Sequence, residues 1–401
     1  MVPKGWSVKT LGDLTHYSAF GPRFSSDLYS ENGNVGTIRT TDLNDEGEIN
    51  YSTIPYANVP DSFKSHFLDD GDLLITRSGS CGIPCIFVRQ DKPVIAGAFL
   101  IRFVLNEKAD ATFLHALLKS EKVQIKIQNL ASGGVQKNLS GTNLKKLELL
   151  VPPLPEQKKI AQILSTWDKA ITTTEQLLAN SQQQKKALMQ QLLTGKKRLL
   201  DKNGVRFSGE WKWLKASELF KTVSTKNNSE TEELLAVTQD LGVLPRSLLE
   251  RRVVMPDGST KGYKLVVPGN FIISLRSFQG GLEYSSYRGL VSPAYTVLAP
   301  IKTINDEFFK HYYKSYDFIG HLAVAVIGIR DGKQISYSDF SFLKLPYPSL
   351  EEQQKIAAAL SNADQGITAL QQKLDALKQE KKALMQQLLT GKRRVKVEEA
   401  A

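Results

Sequence analysis

The dodecapeptide Lys-Lys-Ala-Leu-Met-Gln-Gln-Leu-Leu-Thr-Gly-Lys occupies Lys185–Lys196 and recurs unchanged at Lys381–Lys392 in a chain of 401 residues. Twelve identical residues in a row do not repeat by chance, so the chain is a tandem duplication with an offset of 196 positions, 185 to 381. Duplicated chains tend to fold with pseudo-two-fold symmetry. Such symmetry suits a partner that is itself nearly two-fold, or one that is read in two halves.

The same offset extends upstream. Pro152-Pro153-Leu154-Pro155-Glu156-Gln157-Lys158-Lys159-Ile160 matches Pro348-Ser349-Leu350-Glu351-Glu352-Gln353-Gln354-Lys355-Ile356, and Asp168 matches Asp364. Earlier still the halves diverge, although Trp6 in GWSVKTLGDL resembles Trp211 in EWKWLKASEL at a different offset. Each half thus has a diverged front and a matched back. The backs share a structural task, and the fronts have separate ones.

The backs read as long helices. Ile356, Leu360, Ala363, Ile367, Leu370, Leu374, Leu377, Lys381, Leu384 and Leu388 advance by alternate steps of four and three, an a/d heptad seam interrupted only by Lys381. The first copy runs Ile160, Leu164, Trp167, Ile171, Thr174, Leu178, Ser181, Lys185, Leu188, Leu192, with a more polar middle. Proline precedes each helix, Glu156 or Glu351-Glu352 occupies the first turn, and Gly195 or Gly391 suits the C′ position. Each helix of about 40 residues is about 60 Å long, too long to bury its stripe alone, and its natural partner is its own copy, antiparallel.

The fronts read as small α/β domains. Asp72–Arg77, Ile83–Val88 and Phe99–Val104 have strand character, followed by one helix over Thr112–Ile127; Asn270–Ser274, Tyr295–Leu298 and a helix over Glu307–Leu322 repeat the order. Four loops carry polar and basic residues at matching places in the two halves. They supply the candidate DNA contacts Arg77, Ser78, Ser80, Gln136, Lys137 and Asn138 in the first half, and Arg276, Ser277, Gln279, Arg330, Lys333 and Gln334 in the second. Arg and Gln can read guanine and adenine edges, while Ser, Lys and backbone N–H groups hold phosphates. Gly/Ser turns between strands have the same composition.

Charge and missing motifs narrow the function. The formal net charge is +11, which favours a polyanionic partner. No apolar signal core or transmembrane-length run is present, so a cytoplasmic protein without membrane contact is expected. The two cysteines, Cys81 and Cys85, lack the second Cys/His pair of a zinc site and read as free thiols. No phosphate-binding Gly-x-x-x-x-Gly-Lys-Ser/Thr loop, adenine-methyltransferase Asn/Asp-Pro-Pro-aromatic motif, zinc spacing or nuclease carboxylate cluster is found. The residues describe a binder.

The P-P-L-P-E-Q-x-x-I-A opening at Pro152–Ala161, its copy at Glu351–Ala357, and the L-L-T-G-K-[KR]-R endings at Leu192–Arg198 and Leu388–Arg394 resemble those of the specificity subunit of type I restriction-modification systems. The Gly71–Ser80 run GDLLITRSGS also looks like a segment of its target recognition domains. The resemblance implies an α/β fold of two target recognition domains, residues 1–151 and 200–347, joined by antiparallel coiled-coil helices within 152–199 and 348–395, with 396–401 a tail. It further implies that each front reads half of a bipartite duplex DNA target. The helices set the gap through Ile160, Leu164, Trp167, Ile171, Leu178, Leu188 and Leu192 against Ile356, Leu360, Ile367, Leu370, Leu374, Leu384 and Leu388. Two methylation subunits dock on them, and restriction subunits join where the host has them. S-adenosylmethionine, ATP and Mg are then expected only on those partners, with no cofactor and no metal in this chain. The rival reading is a coiled-coil assembly scaffold with two protein-binding modules.

Overall fold

A computed structural model describes residues 2–131, 138–226, 232–239, 241–249, 260–274, 277–325 and 335–397, with the backbone only of Lys261, Phe278 and Ala325. The chain divides into two compact units. One comprises Met1–Thr174 and Lys373–Ala401, and the other Glu175–Gln372. Two 39-residue helices, Leu154–Leu192 and Leu350–Leu388, each contribute to both units.

In unit 1 a four-stranded antiparallel sheet runs in the order Thr15–Phe20, Leu100–Leu105, Leu73–Thr76, Pro84–Ile86. The strand Leu73–Thr76 is buried on both faces, as its unbroken apolar run requires. A three-stranded sheet stands beside it, with Val35–Ile38 between Tyr56–Ala57 and Val94–Ala96, the last pair parallel. Ser7–Thr10 pairs antiparallel with Glu148–Val151, which brings the start of the chain to the start of the first long helix.

Unit 2 repeats the four-stranded order with Phe220–Val223, Thr296–Pro300, Phe271–Ile273 and Glu283–Tyr284, and the closing pair with Lys212–Lys215 and Lys344–Tyr347. The two fronts therefore share a frame that their sequences hide. Unit 2 packs many rings among the aliphatics of its core: Phe220, Phe271, Phe308, Phe309, Tyr312, Tyr313, Phe318 and Phe340 are fully buried and largely edge-on to one another.

The expected single helices at Thr112–Ile127 and Glu307–Leu322 are each two helices. Ala111–Lys119 and Glu121–Leu130 are separated at Ser120, whose backbone is extended (ψ 139°) and whose hydroxyl donates to the Leu117 carbonyl at 2.6 Å. Asp306–Tyr313 and Tyr316–Ala325 are separated around Ser315, whose Oγ accepts the Phe318 N–H at 3.2 Å. In both places a serine offers the backbone a local alternative to the helical bond, which an apolar pattern does not register.

The matched backs hold each unit together in the same way. In unit 1, Ile160, Ala161 and Leu164 from the start of the first helix share a core with Leu388 and Leu389 from the end of the second. In unit 2, Ile356, Ala357 and Leu360 share one with Leu192 and Leu193. Within each unit the helix segments are thus antiparallel. The seam follows the heptad: Ile160, Leu164, Leu178, Leu192, Ile356, Leu360, Leu374 and Leu388 are buried, and Trp167, Ile171, Leu188, Ile367, Leu370 and Leu384 are partly buried. Lys381, the interruption, pairs with Asp168; its copy Lys185 pairs with Asp364.

The Glu-Gln of the helix openings is spent on tethering the fronts. Glu156 is 3% exposed and accepts from the Trp6 indole (3.2 Å) and from Arg394 Nε and Nη2 (2.7 and 2.8 Å). Glu352 is 1% exposed and accepts from the Trp211 indole (3.0 Å) and from Arg198, Nη2 at 2.7 Å. Each arginine also lies over its tryptophan ring, at 5.9 and 5.7 Å. The next residue, Gln157 or Gln353, accepts a backbone N–H from Asp110 or Asn305 at 2.9 Å. Asp110 and Asn305 in turn cap the following front helices through the Phe113 and Phe308 N–H groups. The glycines after the helices, Gly195 (φ 72°) and Gly391 (φ 69°), take the left-handed conformation that turns the chain toward these clasps.

His115 gives unit 1 a pH-dependent element. Its Nε2 lies 3.2 Å from the Pro84 carbonyl, which can only accept, so the neutral ring donates there. Burial, with Lys119 and Lys381 adding repulsion against Asp168, pulls its pKa down to about 4. The folded value lies below the free value of about 6.5. His115 therefore stabilises unit 1 fully above about pH 6.5, and that contribution is lost as pH falls through about 4, roughly 3 kcal/mol in all. Thermal unfolding of wild type and His115→Gln between pH 7 and 4 is expected to converge toward acid (over about the same window). Parallel curves would show that this ring does not titrate on unfolding.

Candidate nucleic-acid interface

The loop after strand Leu73–Thr76 is built rather than loose. Thr76 Oγ1 donates to the Ser80 carbonyl (2.5 Å) and accepts from the Ile83 N–H (2.9 Å), and the Gly82 N–H donates to the Thr76 carbonyl (2.8 Å). Gly82 (φ 90°) is followed into the sheet, and the Gln124 and Gln128 amides donate to the Gly82 and Cys81 carbonyls at 3.0 and 2.9 Å. The helix Glu121–Leu130 thus clamps the loop from behind.

Arg77 sits at the front of this loop. Its N–H donates to the Phe99 carbonyl (2.9 Å) and its carbonyl accepts from the Leu139 N–H (2.8 Å). Its guanidinium lies 4.1 Å from the centroid of the Phe20 ring, and Nε donates to Asn138 Oδ1 at 3.4 Å. Ser78 forms a backbone bridge with Asn138. Ser78 is half-buried and Ser80 and Asn138 are exposed. Two loops that the sequence placed 61 residues apart therefore meet here. Two exposed rings flank them, Phe20 at 44% and Phe99 at 54% exposure, and sequence reasoning had missed both. Gln136 and Lys137 lie outside the described residues.

The unit 2 counterpart is the turn Ser277–Gly280 after strand Phe271–Ile273. Lys314 fixes it from behind, donating to the Gly280 carbonyl (2.9 Å) and the Gln239 carbonyl (3.3 Å) and pairing with Glu283. A Cβ on Gly281 (φ 76°) would come within 1.7 Å of the Tyr313 carbonyl oxygen, so only glycine fits. Ser277, expected from the sequence as a DNA contact, is instead 1% exposed, and its hydroxyl accepts the Ser274 N–H at 2.8 Å, so it shapes the turn from within. Gln279 is exposed. Arg276, Arg330, Lys333 and Gln334 lie outside the described residues.

Other chemistry-bearing groups serve packing. Ser361 Oγ, His311 Nε2 and Asp364 fall in the order of a hydrolytic triad, with Ser361 3.2 Å from His311. The Asp364 to His311 Nδ1 distance of 3.8 Å exceeds a hydrogen bond, Asp364 is taken by Lys185, and His311 is 6% exposed, which leaves no room for a substrate. Cys81 and Cys85 are buried and form no disulfide, and burial pushes Cys85 up to about 12, which keeps it protonated and inert. Among the described residues no group of three or more His, Cys, Asp or Glu converges as for a metal ion, and no helix is long and apolar enough to cross a membrane.

The helix pair offers a second surface. In unit 1 a cleft of about 530 Å³ has Ile163, Trp167, Leu384, Leu388 and Val395 on its walls and Lys159, Arg393, Arg394 and Lys396 around them. At the positions of Ile163 and Trp167 the second copy has Ala359 and Ala363, so the two helix faces are not equivalent.

The family model for the type I restriction modification DNA specificity domain matches this sequence twice, over residues 3–180 and 195–379. The chain belongs to the type I restriction-modification DNA specificity family. The type I restriction enzyme MjaVIII specificity subunit of Methanocaldococcus jannaschii is 25% identical over 98% of this chain and 94% of its own length. The MjaX specificity-subunit sequence of the same organism is 26% identical over 98% and 95%. The fold is that of the type I S subunit from M. genitalium (TM-score 0.58, 16% identity, 96% of each chain) and of the HsdS subunit from Thermoanaerobacter tengcongensis (0.54, 17%, 98% of each). The two family matches cover both fronts of this specificity-family chain and large parts of both long helices.

Proposed function

We propose that this chain reads one asymmetric, bipartite sequence in duplex DNA, each front contacting one half-site and the two long helices fixing the gap. The observation that supports this most is a shared central sheet and clasp bearing unlike loops. Both units have the same sheet order and the same Trp–Glu–Arg clasp, yet one presents Arg77 with Phe20 and Asn138 and the other Gln279 over a turn held by Lys314. A shared frame with different contact residues is what two different DNA words require. Half-sites about 34–36 Å apart lie on one face of the duplex, a spacing suited to two rigidly linked readers.

On this reading the chain supplies sequence choice and no catalysis. Two methylation subunits dock on the helix faces. They carry S-adenosylmethionine, and restriction subunits using ATP and Mg complete the nuclease where present. The cationic rim and apolar walls of the unit 1 cleft support such docking. The site of action is the cytoplasm, where the DNA is.

Binding to the specific duplex, with methylation subunits present, is expected to fall about a thousandfold between 50 and 200 mM salt, given six or more phosphate contacts. Arg77→Ala is expected to relax one half-site by about 10- to 100-fold, leaving the other unchanged, as read by competition among duplexes with single-base changes. Affinity that ignores salt, or a chain that captures protein partners but no methylation subunit and no DNA, would favour the scaffold reading instead.

A further inference from the structure

We propose that Phe20 and Asn138 are positioning residues that turn Arg77 into a guanine reader in the first half-site; this rests on the DNA-reading function above. Backbone and side-chain contacts together hold Arg77, and its carbonyl also accepts from the Cys81 thiol at 3.0 Å. Its backbone is bound between Phe99 and Leu139, at 2.9 and 2.8 Å. Its side chain lies on the Phe20 ring at 4.1 Å and is tied at Nε to Asn138 at 3.4 Å. Among the described residues the one side-chain hydrogen bond of Arg77 is that of Nε, and Nη1 and Nη2 make none. A guanidinium held over a ring face, with Nε occupied, keeps its two-nitrogen edge as the remaining donor pair. That edge matches O6 and N7 of guanine in the major groove. An arginine that was free to swing would instead satisfy any nearby phosphate and carry no sequence information.

Phe20 itself argues for this role. It ends the strand Thr15–Phe20 at the sheet edge beside the loop and is 44% exposed, so it contributes little to the core. An exposed phenyl beside a basic loop is poorly placed for packing alone and well placed to hold a cation. The ring and the amide that orient Arg77 come from two segments distant from it in sequence, so the arrangement exists only in the folded front.

The test uses the full chain in complex with its methylation subunits. Selection from a randomised duplex pool defines the first half-site. Each guanine in it is then replaced by 7-deazaguanine, which lacks the N7 acceptor. One guanine is expected to cost wild type about 10-fold in affinity when replaced. That penalty is expected to vanish in Arg77→Ala, to shrink below about threefold in Phe20→Leu and Asn138→Ala, and to persist in Phe20→Tyr, which keeps the ring face. The salt slope of Phe20→Leu should equal that of wild type. A full penalty in Phe20→Leu overturns the proposal. So does a loss in Phe20→Leu that is equal on specific and scrambled duplexes, since this marks a structural or phosphate role. Failure of wild type to select any sequence would sink the DNA-reading function itself, a distinguishable result.

Discussion

Glu352→Ala is expected to destabilise unit 2 by roughly 3–4 kcal/mol. The carboxylate is 1% exposed and takes three donors, the Trp211 indole and two arms of Arg198. Removing it leaves a partly buried guanidinium and an indole N–H without their acceptor. The Arg198 side chain is only 19% exposed, so water compensates poorly. The copy in unit 1 should respond less, by roughly 2 kcal/mol, because the Arg394 side chain is 42% exposed and can turn to solvent. Glu352→Gln does not rescue, since it directs an amide N–H₂ at the arginine. Replacing both partners, Arg198→Met with Glu352→Met, should cost less than the two single losses together. Urea unfolding followed by Trp211 fluorescence decides this; additive losses in the cycle would show that the pair is not coupled.

Residues 1–200 alone are expected to form a homodimer, and to be largely unfolded where dilution prevents it. Unit 1 takes its closing helix end from residues 381–394, including Lys381 on Asp168, Leu388 in the core and Arg394 on Glu156. The first half carries the same twelve residues at Lys185–Lys196, with Arg198 in the place of Arg394. A second copy can therefore supply every one of these contacts. A monomer would expose Leu164, Ile160 and their neighbours, each worth about 2 kcal/mol when buried. The dimer of the first half should be weaker than that of residues 197–401. The seam of the first half has Thr174 and Ser181 in its middle where the second has Leu370 and Leu377. Sedimentation across a concentration series measures both. A folded, concentration-independent monomer would show that a front is closed without a borrowed helix end.

Much of the scaffold was legible in the sequence, for a physical reason. Heptad spacing, a preceding proline and a trailing glycine are local signals, and local geometry answers to them: the long helices span Leu154–Leu192 and Leu350–Leu388, close to where those signals place them. The fronts were less legible. The helix breaks at Ser120 and Ser315 hinge on single hydroxyls inside apolar patterns. The common sheet order went unseen because strands of two to six residues can pack on a mainly aliphatic core or on a ring-rich one without changing their pairing.

Of the candidate DNA contacts, sequence composition named Arg77 and Asn138 but not that they touch, and it included Ser277, which the fold buries. It also treated Glu156 and Glu352 as partners of a helix dipole, whereas each is the acceptor of a buried clasp.

By itself the sequence determined the duplication, the two helices and the face each would bury, because those depend on residues three and four apart. The tertiary structure alone decided what the repeats are for within each unit. It joined Trp6, Glu156 and Arg394 across separations of 150 and 238 residues, made the lysine of each seam an ion pair, and set Arg77 over Phe20. Such contacts follow from chain topology, which no local period encodes.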